Sequence, residues 1–234
     1  MSARVRGALY LLFFVPFTAL MALIAIMISV VDRRGSLFHR HSRLWARGAL
    51  LLAGVGVEIE TTEPLPSGTP LIFMSNHQGN FDIPVLYEAI PRPFSWMAKE
   101  ELFRIPLFGW ALSRAGYIPV DRSDGRKSLR SLLEAAVTIK NGKSVVIFPE
   151  GTRSPDGALL PFKRGGFILA AKSGVPVVPV AIRGSRDVNP PRTTHLTPGT
   201  IQVRLGPVIP TAGRTPDEIE MGVESTVRTL LERP

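Results

Sequence analysis

The stretch PLIFMSNHQGNFDIPVLYEAI, residues 70–90, joins a short apolar run, a polar loop and a second apolar run. The first run, PLIFMSN at 70–76, has the composition of a buried strand. The second, IPVLYEAI at 83–90, places Pro84 where the first turn of a helix tolerates proline. A buried strand leading directly into a helix is typical of layered α/β domains. We therefore expect a sheet with helices packed on it.

The same alternation continues on both sides of this stretch. Further strands are predicted at VEIETT (57–62), FSWMAK (94–99), YIPV (117–120), SVVIFP (144–149), VPVVPVAI (175–182) and TIQVRLG (200–206). Helical spacing of apolar residues predicts helices from Gly125 to Lys140 and over FKRGGFILAAKSG at 162–174. The pattern indicates an α/β fold with a mixed, mostly parallel sheet flanked by helices.

The last helix is predicted from Thr215 to Leu231 by its start signals. Thr215 has the side chain of an N-cap, and Pro216 suits the first helical position. Glu218, three residues after the cap, would complete a capping box. We therefore expect this helix to close the domain.

Composition and charge narrow the classes of function. The 234 residues contain no cysteine, so disulfides and thiol nucleophiles are excluded. The net charge is +9, but residues 1–56 hold seven arginines and one aspartate, which leaves only +3 for the rest. Because the basic excess lies in the N-terminal segment and not on an aromatic platform, we do not expect nucleic-acid binding.

Residues 7–31, GALYLLFFVPFTALMALIAIMISVV, contain no acidic or basic side chain apart from the phenol of Tyr10. As a helix they would be roughly 37 Å long, enough for a hydrocarbon core of about 30 Å. A cleaved signal peptide has a shorter apolar run and a small-x-small site after it, so we expect a membrane anchor. Pro16 permits a kink, so a full span and a dip into one leaflet both remain open.

Basic residues follow the apolar run. Arginines at 33, 34, 40, 43 and 47 favour a cytoplasmic position for the chain that comes after it, on the inner membrane. Residues 36–54, SLFHRHSRLWARGALLLAG, repeat apolar pairs at seven-residue spacing with arginines on one flank. We interpret them as an interfacial helix, the alternative being an amphipathic helix packed on the core. Residues 1–56 are thus predicted to be membrane-anchoring helices, and 57–234 the α/β domain.

His77 and Asp82 stand five positions apart after the strand at 70–76. In one helix they would diverge by about 140°, so the loop, with Gly79 and two asparagines that tolerate unusual φ values, must bring them together. Asp82 would then hold one imidazole nitrogen and leave the other as a base. The alternative is a helix cap and a plain loop histidine. Both roles are compatible if one Asp82 oxygen starts the helix and the other holds His77.

Cationic and acidic side chains follow other predicted strands. Lys99 ends FSWMAK, Arg122 follows YIPV, and Glu150, Gly151, Thr152 and Arg153 follow SVVIFP. Arginine and lysine near a histidine supply the charge-assisted donors that a phosphate monoester needs. The alternative is that these are solvated loop charges, with Glu150 paired to an arginine. No cluster has metal-ligand spacing, since His39 and His41 lie in the basic helix and His195 in a Pro/Thr-rich loop.

Taken in order, NHQGNFD, GYIPVDR, FPEGTRS and VPVVPVAI resemble the four motifs of the glycerolipid acyltransferases, specifically the bacterial 1-acyl-glycerol-3-phosphate acyltransferases. AKEELFRIPLFGW resembles the segment that these enzymes carry between the first two motifs. The similarity covers residues 57 to about 210. One departure is Pro119, where the second motif usually has a bulky apolar residue.

The resemblance implies transfer of a fatty acyl group from acyl-CoA or acyl-carrier protein to the sn-2 hydroxyl of lysophosphatidic acid, giving phosphatidic acid. It implies His77 as general base and Asp82 as the carboxylate that orients it. The positions implied for acceptor binding are Arg122, Glu150, Gly151, Thr152 and Arg153, with Lys99 as a phosphate partner and Val175–Ile182 shaping the pocket. No cofactor beyond the acyl donor and no metal is implied.

Two observations favour direct transfer over a covalent intermediate. The sequence has neither a cysteine nor a Gly-x-Ser-x-Gly elbow, so an acyl-enzyme lacks an obvious nucleophile. A membrane anchor also suits amphiphilic substrates. The alternatives are acylation of glycerol 3-phosphate or another lysophospholipid, and a non-catalytic module that binds anionic lipid.

Overall fold

The computed structural model describes residues 1–32, 35–120 and 125–233, and of residues 125–128 the backbone only. Its helices are α1 (Ala3–Val31), α2 (Ser36–Ala53), α3 (Asp82–Ala89), α4 (Glu100–Phe103), α5 (Phe108–Arg114), α6 (Gly125–Lys140), α7 (Gly165–Ser173), α8 (Ser185–Val188) and α9 (Pro216–Glu232). Its strands are β1 (Val55–Thr61), β2 (Ile72–Ser75), β3 (Ser95–Lys99), β4 (Ile118–Val120), β5 (Val145–Ile147), β6 (Val177–Arg183) and β7 (Gly199–Leu205). All seven expected strands are present.

The seven strands form a single sheet in the order β1-β7-β6-β2-β5-β3-β4. Every neighbouring pair is parallel except β6 and β7. The α/β fold with a mixed, mostly parallel sheet is therefore confirmed. Because β2, β5 and β6 are adjacent and parallel, the loops that follow them meet at one edge of the sheet, where ligands gather in such folds.

Pro119 lies on β4, which ends the sheet and pairs only with β3. It stands opposite Ala98 and is exposed. An edge strand tolerates proline because the missing N–H leaves no interior ladder bond unmade. The departure from the second motif therefore does not disturb the strand.

The two faces of the sheet carry separate apolar cores. One core contains residues of α2 and α3, including Ala46, Leu50 and Leu86. The other contains residues of α6, α7 and α9, including Phe167 and Val223. Helix α9 begins with the predicted capping box. Residues 76–81, the loop between β2 and α3 that holds the expected catalytic residue His77 (the catalytic loop), emerge from a sheet covered on both sides.

Helix α1 runs without interruption through Pro16. Within the described ranges it is the one helix long and apolar enough to cross a membrane, and only 6% of its most apolar window is buried. The chain therefore carries a membrane-associating N-terminal helix.

Helix α2 has two apolar faces. Its buried residues, Ala46, Ala49, Leu50 and Ala53 among them, pack on the sheet side. Leu37, Leu44 and Leu51, spaced by seven residues, are exposed. The buried face fits the alternative of an amphipathic helix packed on the core, whereas contact of the exposed leucines with a bilayer stays a prediction, as does the division of the chain at residue 56.

Candidate active site

The loop between β2 and α3 is fixed to β6 by Asn76. Its buried side-chain amide donates to the carbonyl of Ile182 at 2.9 Å, and its oxygen accepts from the N–H of the same residue at 2.7 Å. The side-chain amide of Asn76 thus takes the place of a neighbouring strand's backbone in bonding to β6. The residue that follows, His77, therefore leaves the sheet from a defined position.

His77 and Asp82 form the expected pair. Nδ1 of His77 lies 2.5 Å from Oδ2 of Asp82, a residue with no solvent exposure. The same oxygen accepts the backbone N–H groups of Gln78 at 2.7 Å and Gly79 at 2.9 Å. Three donors on one oxygen fix the carboxylate, and the carboxylate in turn fixes the imidazole with Nδ1 as the proton-bearing nitrogen.

The prediction that one Asp82 oxygen starts α3 while the other holds His77 is wrong. The N-cap of α3 is Phe81, without a side-chain cap bond, and Asp82 is the first helical residue. Oδ2 is directed back into the loop, while Oδ1 is buried and has no partner within the described ranges. The carboxylate therefore belongs to the loop and not to the helix end.

The role expected of Gly79 also differs. Its φ is not among the positive values of the chain. A Cβ at this position would instead lie 2.7 Å from the carbonyl oxygen of Ser185. Glycine is required because two backbones approach closely, which no local sequence pattern records.

The imidazole of His77 is held flat against an aromatic ring. It stacks on Phe148 with ring centres 3.9 Å apart and planes 11° apart, and Phe148 stacks in turn on Trp96. The side chain of His77 is 17% exposed, and in the described structure Nε2 makes no hydrogen bond. The ring is thus oriented on one nitrogen and available on the other.

Glu150 lies behind the catalytic loop and not on its open side. Its residue is 2% exposed. Oε1 accepts the N–H of His77 at 2.7 Å, and Oε2 accepts the N–H of Leu160 at 3.1 Å. Burial raises the pKa of Glu150, because the charged carboxylate loses its hydration. These contacts are those of a residue that positions the backbone of His77, and the acceptor-binding role that the resemblance implied stays a prediction.

Arg153 reaches the catalytic loop through Asn80. Its guanidinium donates to the side-chain oxygen of Asn80, whose amide nitrogen donates to Asn189 at 2.5 Å. Asn189 donates to the backbone oxygen of His195 at 2.6 Å. Arg153 is therefore oriented by a short chain of amides that ends in the loop before β7.

The other expected residues are not all brought to one place. Gly151, with a φ of 72°, lines the pocket beside His77, while Thr152 is exposed. Lys99 is exposed at the end of β3 and is not part of the pocket wall, which takes Trp96 from that strand. Arg122 lies outside the described residues.

A pocket of about 410 Å³ opens in front of His77. Its walls come from β3, β5 and the start of α7, and include Trp96, Phe148, Gly151 and Lys163. Among the described residues, no three His, Asp or Glu side chains are grouped so that they could hold a metal ion. The site is therefore a histidine and a buried carboxylate facing a cavity with apolar walls and a cationic margin.

Comparisons with known proteins agree with this geometry. A family model described as Acyltransferase matches residues 56–183, which include the histidine–aspartate pair and Glu150. A chloroplastic 1-acyl-sn-glycerol-3-phosphate acyltransferase of Brassica napus is 38% identical over 198 residues, covering 81% of this chain and 56% of that protein. The human alpha form is 34% identical over 200 residues, covering 85% and 71%. The chain belongs to the glycerolipid acyltransferase family.

A solved structure extends the match to nearly the whole fold. The crystal structure of the 1-acyl-sn-glycerophosphate acyltransferase PlsC from Thermotoga maritima has a TM-score of 0.82 and 28% identity, covering 98% of this chain and 96% of that one. The chain spans about half the length of its chloroplastic relatives, 56% and 54% of the first two. Since these acyltransferases come from plants, animals and bacteria, a specifically bacterial member stays a prediction.

One cationic residue of this candidate site was missed by reasoning from the sequence. Lys163 lines the pocket, and a Cβ on Gly151 would lie 2.8 Å from its ammonium. Among the described residues Lys163 makes no ion pair. The available signal was a basic pair, Lys163 and Arg164, before the Gly165-Gly166 pair that opens α7. It went unused because lysine within an apolar segment looks like an ordinary helix flank.

Proposed function

We propose that this chain transfers a fatty acyl group from acyl-CoA or acyl-carrier protein to the sn-2 hydroxyl of 1-acyl-glycerol 3-phosphate, forming phosphatidic acid. The observation that supports this most is the 2.5 Å bond between His77 and Asp82, with Nε2 open towards the pocket. An alcohol placed there is within reach of a base whose tautomer is fixed.

The geometry suits a single displacement. Nε2 of His77 takes the hydroxyl proton as the acceptor oxygen attacks the thioester carbonyl. The carbon–sulfur bond then breaks, and the imidazolium returns its proton to the leaving thiolate. Asp82 stabilises the imidazolium between these events. General-base catalysis contributes about 10²- to 10⁴-fold, and holding two reactants in contact contributes about 7–11 kcal/mol.

Cationic side chains near the pocket supply the phosphate site. Arg153 is oriented towards the catalytic loop by Asn80, and Lys163 has its ammonium beside Gly151. Both offer charge-assisted donors to a phosphate monoester. Arg122, Lys99 and Thr152 remain proposed contributors on the strength of the family motifs.

An apolar cavity next to this site would hold the acyl chains. A second cavity of about 430 Å³ lies between α1, α2, α3 and α5. Trp96 lines both this cavity and the pocket of His77. A fatty chain in the apolar cavity would therefore end near the reacting groups, with its far end next to the membrane helix.

Both ends of α1 are attached to the same globular body. At its start the carbonyl of Ala3 accepts the N–H of Leu196 at 3.1 Å. At its end Arg114 donates to the carbonyl oxygens of Ser29 and Val30, each at 3.1 Å. A helix that crossed the bilayer would have its ends on opposite sides. We therefore propose that α1 lies in one leaflet, on the cytoplasmic face of the inner membrane, with the site at the lipid surface.

The test is a panel of donors and acceptors with mass detection of the product. We expect lysophosphatidic acid to be strongly preferred over glycerol 3-phosphate and other lysophospholipids. His77→Ala should abolish transfer in a folded protein. His195→Gln is the matched control, because glutamine can still accept the bond that His195 receives from Arg4. Transfer that survives His77→Ala would refute the mechanism, and preference for another acceptor would refute the substrate.

A further inference from the structure

Besides α1, a second exposed apolar surface is formed by the segment of chain that connects β3 to β4. Five large apolar residues there are between 37% and 66% exposed, namely Leu102, Ile105, Leu107, Phe108 and Trp110. Residues 105–113, IPLFGWALS, contain no charge. Single exposed apolar residues are ordinary, but a dense group of them marks a site of contact.

The backbone presents Leu107 to solvent in a strained turn. Its φ is 63° and its ψ is −49°. The N–H of Phe108 donates to the carbonyl of Pro106 at 2.7 Å, which closes a γ-turn of the rare positive-φ type. Leucine at positive φ is unfavourable, and the side chain gains no burial from it, since it is the most exposed of the five. Packing within the chain does not account for this conformation.

This surface is continuous with α1. The guanidinium of Arg114 lies 5.7 Å from the centre of the Trp110 ring and donates to the last carbonyls of α1, Ser29 and Val30. The neighbouring residues of α1, Met27 and Val31, are also exposed. Trp110 therefore stands beside the end of the membrane-associating helix.

The substrate cavity does not explain the surface. Of the five residues, only Phe108 lines the apolar cavity between α1 and α5. Two nearby arginines have partners, since Arg104 donates to Glu100 at 2.8 Å and Arg114 donates to the last carbonyls of α1. Apolar residues, an amphipathic tryptophan and arginines at the margin are the features of segments that enter the boundary between headgroups and acyl chains.

We propose that Leu102–Trp110, the second anchor, inserts into the same leaflet as α1. This rests on the proposed placement of α1 in one leaflet. Residues of α1 and Phe108 both line the apolar cavity, so two anchors would fix how the cavity opens towards lipid. The occupant of the surface is a lipid leaflet, and a protein partner is the competing outcome that the experiment separates.

The natural absence of cysteine allows single nitroxide labels to report depth. The chain of 234 residues carries Leu107→Cys, Leu23→Cys or Met221→Cys, and is bound to vesicles of phosphatidylethanolamine and phosphatidylglycerol. Leu23 lies on α1, and Met221, on α9, is exposed to almost the same extent as Leu107, 65% against 66%. Accessibility to oxygen and to a water-soluble nickel complex gives the depth of each label.

We expect the labels at 107 and 23 in the hydrocarbon region and the label at 221 in water. A label at 107 that stays in water while the label at 23 is in lipid would overturn the second anchor alone. Labels at 23 and 107 that both stay in water would overturn the placement of α1 as well.

A second variant tests the energetic contribution. Leu107→Asn keeps a side chain that tolerates positive φ, and should lower the vesicle partition coefficient by about tenfold through lost apolar burial. Met221→Asn should leave it unchanged. An unchanged partition coefficient for Leu107→Asn would also contradict the proposal.

Discussion

Glu150 accepts the backbone N–H of His77 at 2.7 Å, so a buried residue of the third motif, FPEGTRS, fixes the backbone of the first motif, NHQGNFD. The other oxygen of the carboxylate holds Leu160, ten residues further along the chain. A buried acid that binds two backbone amides across a loop fixes the position from which His77 leaves the sheet. Under the proposed mechanism, Glu150 would therefore act only through His77.

Replacing Glu150 by glutamine should change the pH dependence of stability. Burial raises the pKa of Glu150 in the folded state above its ordinary value of 4.5. The folded state therefore binds the proton of Glu150 more tightly than the unfolded state does. The stability that this binding contributes is fully present below the ordinary pKa and is lost as the pH rises through the raised pKa. Glutamine does not titrate, so wild type should lose stability relative to Glu150→Gln over that range.

Melting temperatures of both proteins, measured from the ordinary pKa of glutamate to neutral pH, check this prediction. Glu134→Gln, which removes an exposed carboxylate, is the matched control. If Glu150→Gln and Glu134→Gln show the same dependence of melting temperature on pH, the burial of Glu150 does not cause the pH dependence of stability.

Replacing Asp82 by asparagine should lower kcat by about 10²- to 10⁴-fold with little change in KM, because a neutral amide neither fixes the tautomer of His77 nor stabilises its imidazolium. Product formation under saturating acceptor measures the effect. Asp187→Asn, on the exposed side of α8, should leave kcat unaltered. Near-normal turnover of a folded Asp82→Asn protein would exclude the orienting role.

Replacing Asn189 by alanine should weaken acceptor binding. Asn80 would lose the acceptor of its amide N–H, and Arg153 would then be held by an Asn80 side chain that is no longer fixed. One lost hydrogen bond in this chain is equivalent to about 1–2 kcal/mol, or roughly a 5- to 30-fold rise in the KM for lysophosphatidic acid.

Initial rates with each substrate varied in turn separate this effect from a general defect. The KM for the acyl donor should stay constant, and Asn141→Ala, at an exposed turn, should behave as wild type. A fall in kcat with an unchanged acceptor KM would contradict the link between Asn189 and Arg153.

Replacing Gly7 by alanine should detach the start of α1 from the globular body. A Cβ at Gly7 would lie 1.6 Å from the carbonyl oxygen of Thr194, a contact that requires the backbones to separate. We expect faster amide hydrogen exchange in residues 193–196 and lower activity, with vesicle binding retained. Ala8→Val, one position further on the exposed side, should leave exchange in that loop unchanged. Unaltered exchange in Gly7→Ala would show that this contact does not fix α1.

Local sequence was sufficient for the strands and the longer helices of this fold, whereas the short helices α4, α5 and α8 were not predicted. Strand composition, helical spacing and the capping box at Thr215 are properties of short windows, and each predicted strand is present. The pair of His77 and Asp82 was also predictable, because only the loop could bring residues five apart into contact. The motif order then supported the family.

Tertiary structure alone decided which groups face the pocket. Glu150 is behind the catalytic loop and Lys163 in front of it, although both are charged residues beside apolar runs. Glycine is required at position 79 because of the carbonyl of Ser185, 106 positions away in the chain. The position of α1 is fixed by contacts at both of its ends. The physical reason is that burial and close approach depend on which distant segments meet, and a window of neighbouring residues carries no record of that.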